Sequence, residues 1–200
     1  MTKLPESRKL IANYVTQPAA RLLARTAITP NALTWSGFLV TLGAAALTAT
    51  GHPFAGGWVV LAGGLLDMLD GALARQTNRT SNFGALLDST LDRLSDAAIL
   101  FGILLLGIRE QATMLTWLVY LALIGSLLVS YVRARAEGLG LKCQVGLFTR
   151  AERVILLVLS LLLYRVPYVP VTALGIIALL SFITVAQRVI YVWQQTGKAR

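Results

Sequence analysis

The chain has 200 residues, of which 56% are hydrophobic and only 14% charged, and its mean hydropathy is +0.69. That is too apolar for a water-soluble domain of this size and indicates an integral membrane protein. A net charge of +9 would suit nucleic acid in a soluble chain, but here a basic cytoplasmic face accounts for it, and no nucleic-acid partner is expected.

In chain order, residues 5–26 read as an amphipathic helix lying in the membrane interface. Leu10, Ile11, Tyr14, Val15, Leu22 and Leu23 supply its apolar face, with basic residues at the flanks. The first 30 residues hold six charges and no long apolar core, so no cleavable signal peptide is expected. Thr29, Pro30 and Asn31 form a turn. A bilayer core about 30 Å thick needs ~20 mostly apolar helical residues. Six segments qualify: 32–50, 54–75, 84–107, 112–134, 152–166 and 169–193, the fifth being short and ending at Arg165 and Pro167. The runs lack the alternation of a membrane barrel. The expected fold is therefore all-α: one domain over 1–200, with an interfacial helix and turn at 1–31 and a bundle of six transmembrane helices at 32–194. Cys143 is the single cysteine and excludes an internal disulfide; His52 reads as a turn residue between Gly51 and Pro53.

In this six-span arrangement sixteen Lys and Arg residues fall on the side of the N-terminus, against Arg109 and Arg165 on the other. The positive-inside rule puts both termini in the cytoplasm. Trp58, Trp117, Tyr164 and Tyr168 then lie near the outer boundary, and Trp35, Tyr131, Tyr191 and Trp193 near the inner one, as aromatic belts should.

Four of the nine acidic residues, Asp67, Asp70, Asp88 and Asp92, sit within or at the ends of these spans, where a carboxylate is costly and marks a functional site. Asp67 and Asp70 are spaced i, i+3 and Asp88 and Asp92 i, i+4, so each pair shares one face of its helix. Two such helices side by side would converge four carboxylates on divalent metal, and two ions can clamp the attacking and leaving oxygens of a phosphoryl displacement. Gly71 and Gly84 would let a phosphate approach the backbone, and Arg75 is placed to pair with it. The same acids could instead ion-pair with Arg75, Arg79 and Arg93, or form a proton or cation path in a transporter.

The pattern D-x2-D-G-x2-A-R-x8-G-x3-D-x3-D, filled by Asp67, Asp70, Gly71, Ala74, Arg75, Gly84, Asp88 and Asp92, resembles the signature of the CDP-alcohol phosphatidyltransferase family. The resemblance implies six helices, a cytoplasmic-side site, a homodimer, and attack by an alcohol on the lipid-bearing phosphorus of CDP-diacylglycerol, with CMP leaving. It further implies that Asp67, Asp70, Asp88 and Asp92 hold two Mg2+ ions, with Mn2+ a possible substitute. Asp92 would also be the general base, and Gly71, Gly84, Arg75 and Ser81, with the turn at Asn31 to Thr34, would contact the CDP-lipid. Asp96 lies four residues beyond Asp92 and outside the pattern, where a supporting or packing role is favoured over direct ligation.

The acceptor is read from basic residues elsewhere. Arg133, Arg153 and Arg188 all fall at cytoplasmic ends of spans, and guanidinium groups suit a phosphate monoester. The stretches Tyr131 to Glu137, Ala151 to Arg153, Gln187-Arg188 and Thr29 to Asn31 resemble bacterial phosphatidylinositol-phosphate synthases. That resemblance implies inositol 1-phosphate as acceptor, bound through Arg133, Arg153 and Arg188, and a bacterial inner-membrane location. Glycerol 3-phosphate, as in phosphatidylglycerophosphate synthases, is the alternative acceptor.

Overall fold

The computed structural model describes residues 17–197, and all regular structure among them is helical. Most of the expected interfacial helix at 5–26 lies outside the described residues. Of it, only 17–23 is seen as helix. Six longer helices follow: α1 (Pro30–Ala49), α2 (Pro53–Gln76), α3 (Asn82–Arg109), α4 (Thr113–Gly138), α5 (Arg150–Leu162) and α6 (Val169–Gly197). They match the six expected segments to within a few residues. The largest differences are at C-terminal ends: α4 continues past Arg133 and Arg135, α6 continues past Trp193, and α5 stops before Tyr164.

Local chemistry sets these ends. Thr29 caps α1 by accepting the amide of Ala32 at 3.2 Å, and Pro30 takes the first helical position, where a missing N–H costs nothing. Ser81 caps α3 by accepting the amide of Gly84 at 2.9 Å. Gly140, at φ +77, closes the C-terminus of α4. A Thr149–Glu152 capping box opens α5, with the Thr149 amide donating to Glu152 Oε2 at 2.9 Å.

Four helices, α1, α2, α4 and α6, are long and apolar enough to cross a membrane. The N-terminal part of α3 carries Asp88, Asp92, Arg93 and Asp96, which lowers its hydropathy. The 13 residues of α5 span about 20 Å at the helical rise, short of the bilayer core. Large apolar side chains point outward on every membrane-competent helix, among them Trp35, Leu39, Leu65, Leu121, Leu179 and Trp193, as expected for a protein whose outer solvent is lipid.

The chain divides into two compact units. One comprises the described residues up to Gly43 together with Val59–Ser95. In it α1 and α2 approach through glycines: a Cβ on Gly63 would stand 2.8 Å from Thr41 Oγ1 and 3.4 Å from the Gly37 carbonyl. The other comprises Ala44–Trp58 and everything from Asp96 onward. In it α6 packs along α4 and α5, and a Cβ on Gly125 would lie 2.8 Å from Ser181 Cβ, so α4 and α6 meet through small residues. Leu100, Ile103, Leu106, Val119, Leu161, Leu174 and Ile177 form its core. One end is closed by polar ties: Arg109 Nη1 donates to the Thr50 carbonyl at 2.8 Å, and Tyr164 donates to Glu110 Oε2 at 2.6 Å. His52 sits in the turn there, 3.5 Å from Thr50 Oγ1, as the sequence suggests.

Candidate functional site

In the first unit a cavity of about 210 Å³ opens between the N-terminal turn of α1, the C-terminal half of α2 and the start of α3. All six residues expected to contact the CDP-lipid line it: Asn31, Thr34, Gly71, Arg75, Ser81 and Gly84. So do Asp70 and Asp88. The motif glycines work by omission. A Cβ on Gly84 would stand 3.0 Å from Ser81 Oγ and 3.3 Å from Asn31 Oδ1, and one on Gly71 would reach Arg75 Nη1 at 3.4 Å. Both glycines therefore leave room at the cavity wall rather than supplying an unusual backbone angle. Arg79 and Thr80 also line the cavity. Sequence reasoning treated Arg79 only as a charge partner, although its position four residues after Arg75, beside the turn-favouring Asn78, could have flagged it.

Asp67 and Asp92 are not part of this lining. Asp67, also on α2, turns its carboxylate into the space where a Cβ of Gly37 would be. Asp92 is 3.8 Å from Arg93 Nη1. Among the described residues no group of three or more acidic, His or Cys side chains gathers at metal-binding distances. The expected convergence of four carboxylates is thus reached only in part, with Asp70 and Asp88 on one cavity. The donor set nevertheless fits a hard divalent ion. Asp70 is 5% exposed, its Oδ2 is buried without a hydrogen-bond partner among the described residues, and Asp67 and Asp88 lie close enough to bear on its charge.

The second unit holds the three expected acceptor arginines, and Arg133 and Arg153 both lie within electrostatic range of Arg188. Arg153 is 3% exposed and its Nη2 donates to Asp96 Oδ2 at 3.4 Å. Arg188, 4% exposed, donates from Nε to the Val145 carbonyl at 2.9 Å and from Nη1 to the Val129 carbonyl. Arg133 is half exposed and pairs with Glu137 at 2.9 Å, one turn along α4. Guanidinium groups arranged around Arg188 in this way suit an anion of more than one charge. Arg150, not singled out from the sequence, reaches Asp96 Oδ1 from Nε at 3.4 Å.

The chain is similar to proteins of known activity over nearly its whole length. It is 43% identical over 194 residues to the archaetidylinositol phosphate synthase of Methanothermobacter thermautotrophicus, covering 96% of this chain and 95% of the relative. It is 36% identical over 206 residues to the phosphatidylinositol phosphate synthase of Mycobacterium tuberculosis, covering 98% and 94%. The crystal structure of the M. tuberculosis enzyme with CDP-DAG bound superposes with a TM-score of 0.84 at 35% identity, covering 90% of this chain and 94% of that one. Its complex with manganese and citrate gives 0.82, at coverages of 89% and 88%. Residues 27–193 match the CDP-alcohol phosphatidyltransferase family, which takes in the aspartate motif, the cavity and the arginine cluster, and the chain is a multi-pass membrane member of that family.

Proposed function

We propose that the protein transfers a phosphatidyl group from CDP-diacylglycerol to a hydroxyl of inositol 1-phosphate, releasing CMP and forming phosphatidylinositol phosphate. The observation that carries this reading is the pairing of two kinds of site in one chain. One is a cavity with two carboxylates, a buried unsatisfied Asp70 oxygen and two guanidiniums; the other is a group of arginines, two of them buried, suited to a phosphate monoester.

Asn31, Thr34, Gly71, Arg75, Ser81 and Gly84 hold the CDP moiety, with Arg75 and Arg79 offsetting pyrophosphate charge. Asp67, Asp70, Asp88 and Asp92 are the residues that would hold two Mg2+ ions, or Mn2+, which when bound offset the charge developing on the phosphate oxygens. Arg133, Arg153 and Arg188 hold the acceptor's phosphate and so aim its hydroxyl. Asp92 takes the hydroxyl proton as the alcohol oxygen bonds to the lipid-bearing phosphorus, and the bond from that phosphorus to the CMP phosphate breaks. In the membrane, α3 and the shorter α5 complete the six-helix bundle, and both termini and the site face the cytoplasm of a bacterial inner membrane. The enzyme works as a homodimer.

Identity of 43–45% to archaetidylinositol phosphate synthases favours a second reading, in which the acceptor is the same and the donor carries archaetidyl chains.

The test is CMP release by purified protein with Mg2+, using CDP-diacylglycerol or its archaeal counterpart against inositol 1-phosphate, glycerol 3-phosphate, inositol and serine. Turnover with inositol 1-phosphate alone is expected. Turnover with glycerol 3-phosphate alone would overturn the acceptor and leave the family intact. An Asp92→Asn variant is expected to lose at least about a hundredfold in kcat, and full turnover by it would remove Asp92 as the base.

A further inference from the structure

Asp96 lies outside the family motif and has no part in the chemistry above, yet it is only 9% exposed. Its two oxygens divide between two guanidiniums, Oδ1 accepting from Arg150 Nε and Oδ2 from Arg153 Nη2, each at 3.4 Å. Arg150 and Arg153 are the first and fourth residues of α5, so they project on the same side of the helix. The Thr149–Glu152 capping box holds that turn in place. The exposures differ: the Arg153 side chain is 4% accessible and that of Arg150 32%. One guanidinium is therefore walled in and the other reaches an open surface.

A planar guanidinium recognises phosphate well only when its fork is aimed, and a buried one that loses its counter-charge is strongly destabilising. One carboxylate shared by two guanidiniums meets both needs. It sets their separation and offsets their mutual repulsion before substrate arrives. A carboxylate serving the metal ions would have no reason to spend both oxygens on α5.

We infer that Asp96 is a positioning residue of the acceptor site, holding Arg150 and Arg153 as a pair that meets the phosphate of the phosphorylated alcohol. The inference rests on the acceptor reading above and adds Asp96 and Arg150 to it. Asp96 neither ligates metal nor takes the alcohol's proton.

The experiment follows CMP release by the full-length protein while inositol 1-phosphate, CDP-diacylglycerol and Mg2+ are varied in turn. Asp96→Asn is expected to raise KM for inositol 1-phosphate about tenfold while KM for the CDP-lipid and the Mg2+ requirement stay within about twofold. Asp96→Glu, which keeps the charge on a longer arm, is expected to give an intermediate rise of about threefold. It carries the test should Asp96→Asn fail to fold. A raised Mg2+ requirement or CDP-lipid KM with the acceptor KM unchanged would assign Asp96 to the metal site and overturn the inference, as would unchanged kinetics in both variants. Arg153→Ala, measured alongside, keeps the two readings apart. If it leaves the acceptor KM unchanged, the acceptor site itself is misplaced. If it raises that KM while neither Asp96 variant does, only the role of Asp96 falls.

Discussion

Arg188 donates from Nε to the carbonyl of Val145 at 2.9 Å, tying α6 to the segment between α4 and α5. The same helix holds that segment at three more points, through Thr184 to the Phe148 amide, Gln187 to the Leu147 amide and Gln195 to the Lys142 carbonyl. A lysine at 188 would keep the charge but could not serve two carbonyls in a planar fork. Arg188→Lys is therefore expected to raise the acceptor KM about tenfold and to speed protease cleavage within 139–149. Cleavage at the wild-type rate would show that the tie does not hold the segment.

Gly146 lies under the same guanidinium. Its φ of +139 is unfavourable for any side chain, and a Cβ there would stand 2.8 Å from Thr184 Cγ2 and 3.3 Å from Arg188 Nε and Nη2. Gly146→Ala is expected to lower stability by about 1–3 kcal/mol and to weaken acceptor binding without affecting CDP-lipid binding. Thermal unfolding in detergent and paired KM measurements check both.

Gly37 leaves the space that the Asp67 carboxylate occupies. The atom a new Cβ would meet is the end of a flexible side chain, so Gly37→Ala should shift the carboxylate rather than the backbone. The expected outcome is a Tm within a few degrees of wild type and a Mg2+ requirement raised about tenfold or more. A large drop in Tm with an unchanged Mg2+ requirement would mark Gly37 as a packing residue only.

Gly102 presents the opposite case. A Cβ there would lie 2.6 Å from the Ala45 carbonyl oxygen and 3.1 Å from its Cα, and backbone cannot step aside. Gly102→Ala is expected to destabilise by about 1–3 kcal/mol. It should leave both KM values near wild type at low temperature, which detergent unfolding curves and kinetics would test together.

Tyr164, in the turn after α5, is raised above its ordinary pKa of 10.0 by burial and by its hydrogen bond to Glu110. A raised pKa in the folded state means the contribution to stability is complete below pH 10.0 and declines as pH rises beyond it. Tyr164→Phe should therefore lower stability by about 0.5–1.5 kcal/mol at neutral pH and flatten the alkaline fall. An alkaline limb identical to that of wild type would count against the Tyr164–Glu110 bond as its source.

The helices were legible because their signals are local. Long apolar runs and Pro30 after Thr29 act within one or two turns, whereas the Ser81 cap and the Thr149–Glu152 box, which the segment assignment did not use, start α3 and α5 slightly ahead of the expected 84 and 152. The cavity was legible through the motif, since its residues come from two helices and the turn between them, with Asn31 and Thr34 added from α1. Less could be read of the arginines. Spacing placed Arg133, Arg153 and Arg188 at helix ends, but not which carbonyl or carboxylate each would meet, because those partners lie 43 to 59 residues away for Arg153 and Arg188.

By itself the sequence determined that this is an apolar helical chain with an aspartate pattern for CDP-lipid chemistry. Hydropathy and side-chain spacing along a helix are properties of neighbouring residues. Only the tertiary structure decided that Asp96 bridges Arg150 and Arg153 and that Arg188 ties down 139–149. It also decided that Asp67 sits against Gly37 while Asp70 faces the cavity. The reason is physical: a charged side chain in an apolar interior settles on whichever opposite charge or polar backbone group the packing of distant helices brings within reach.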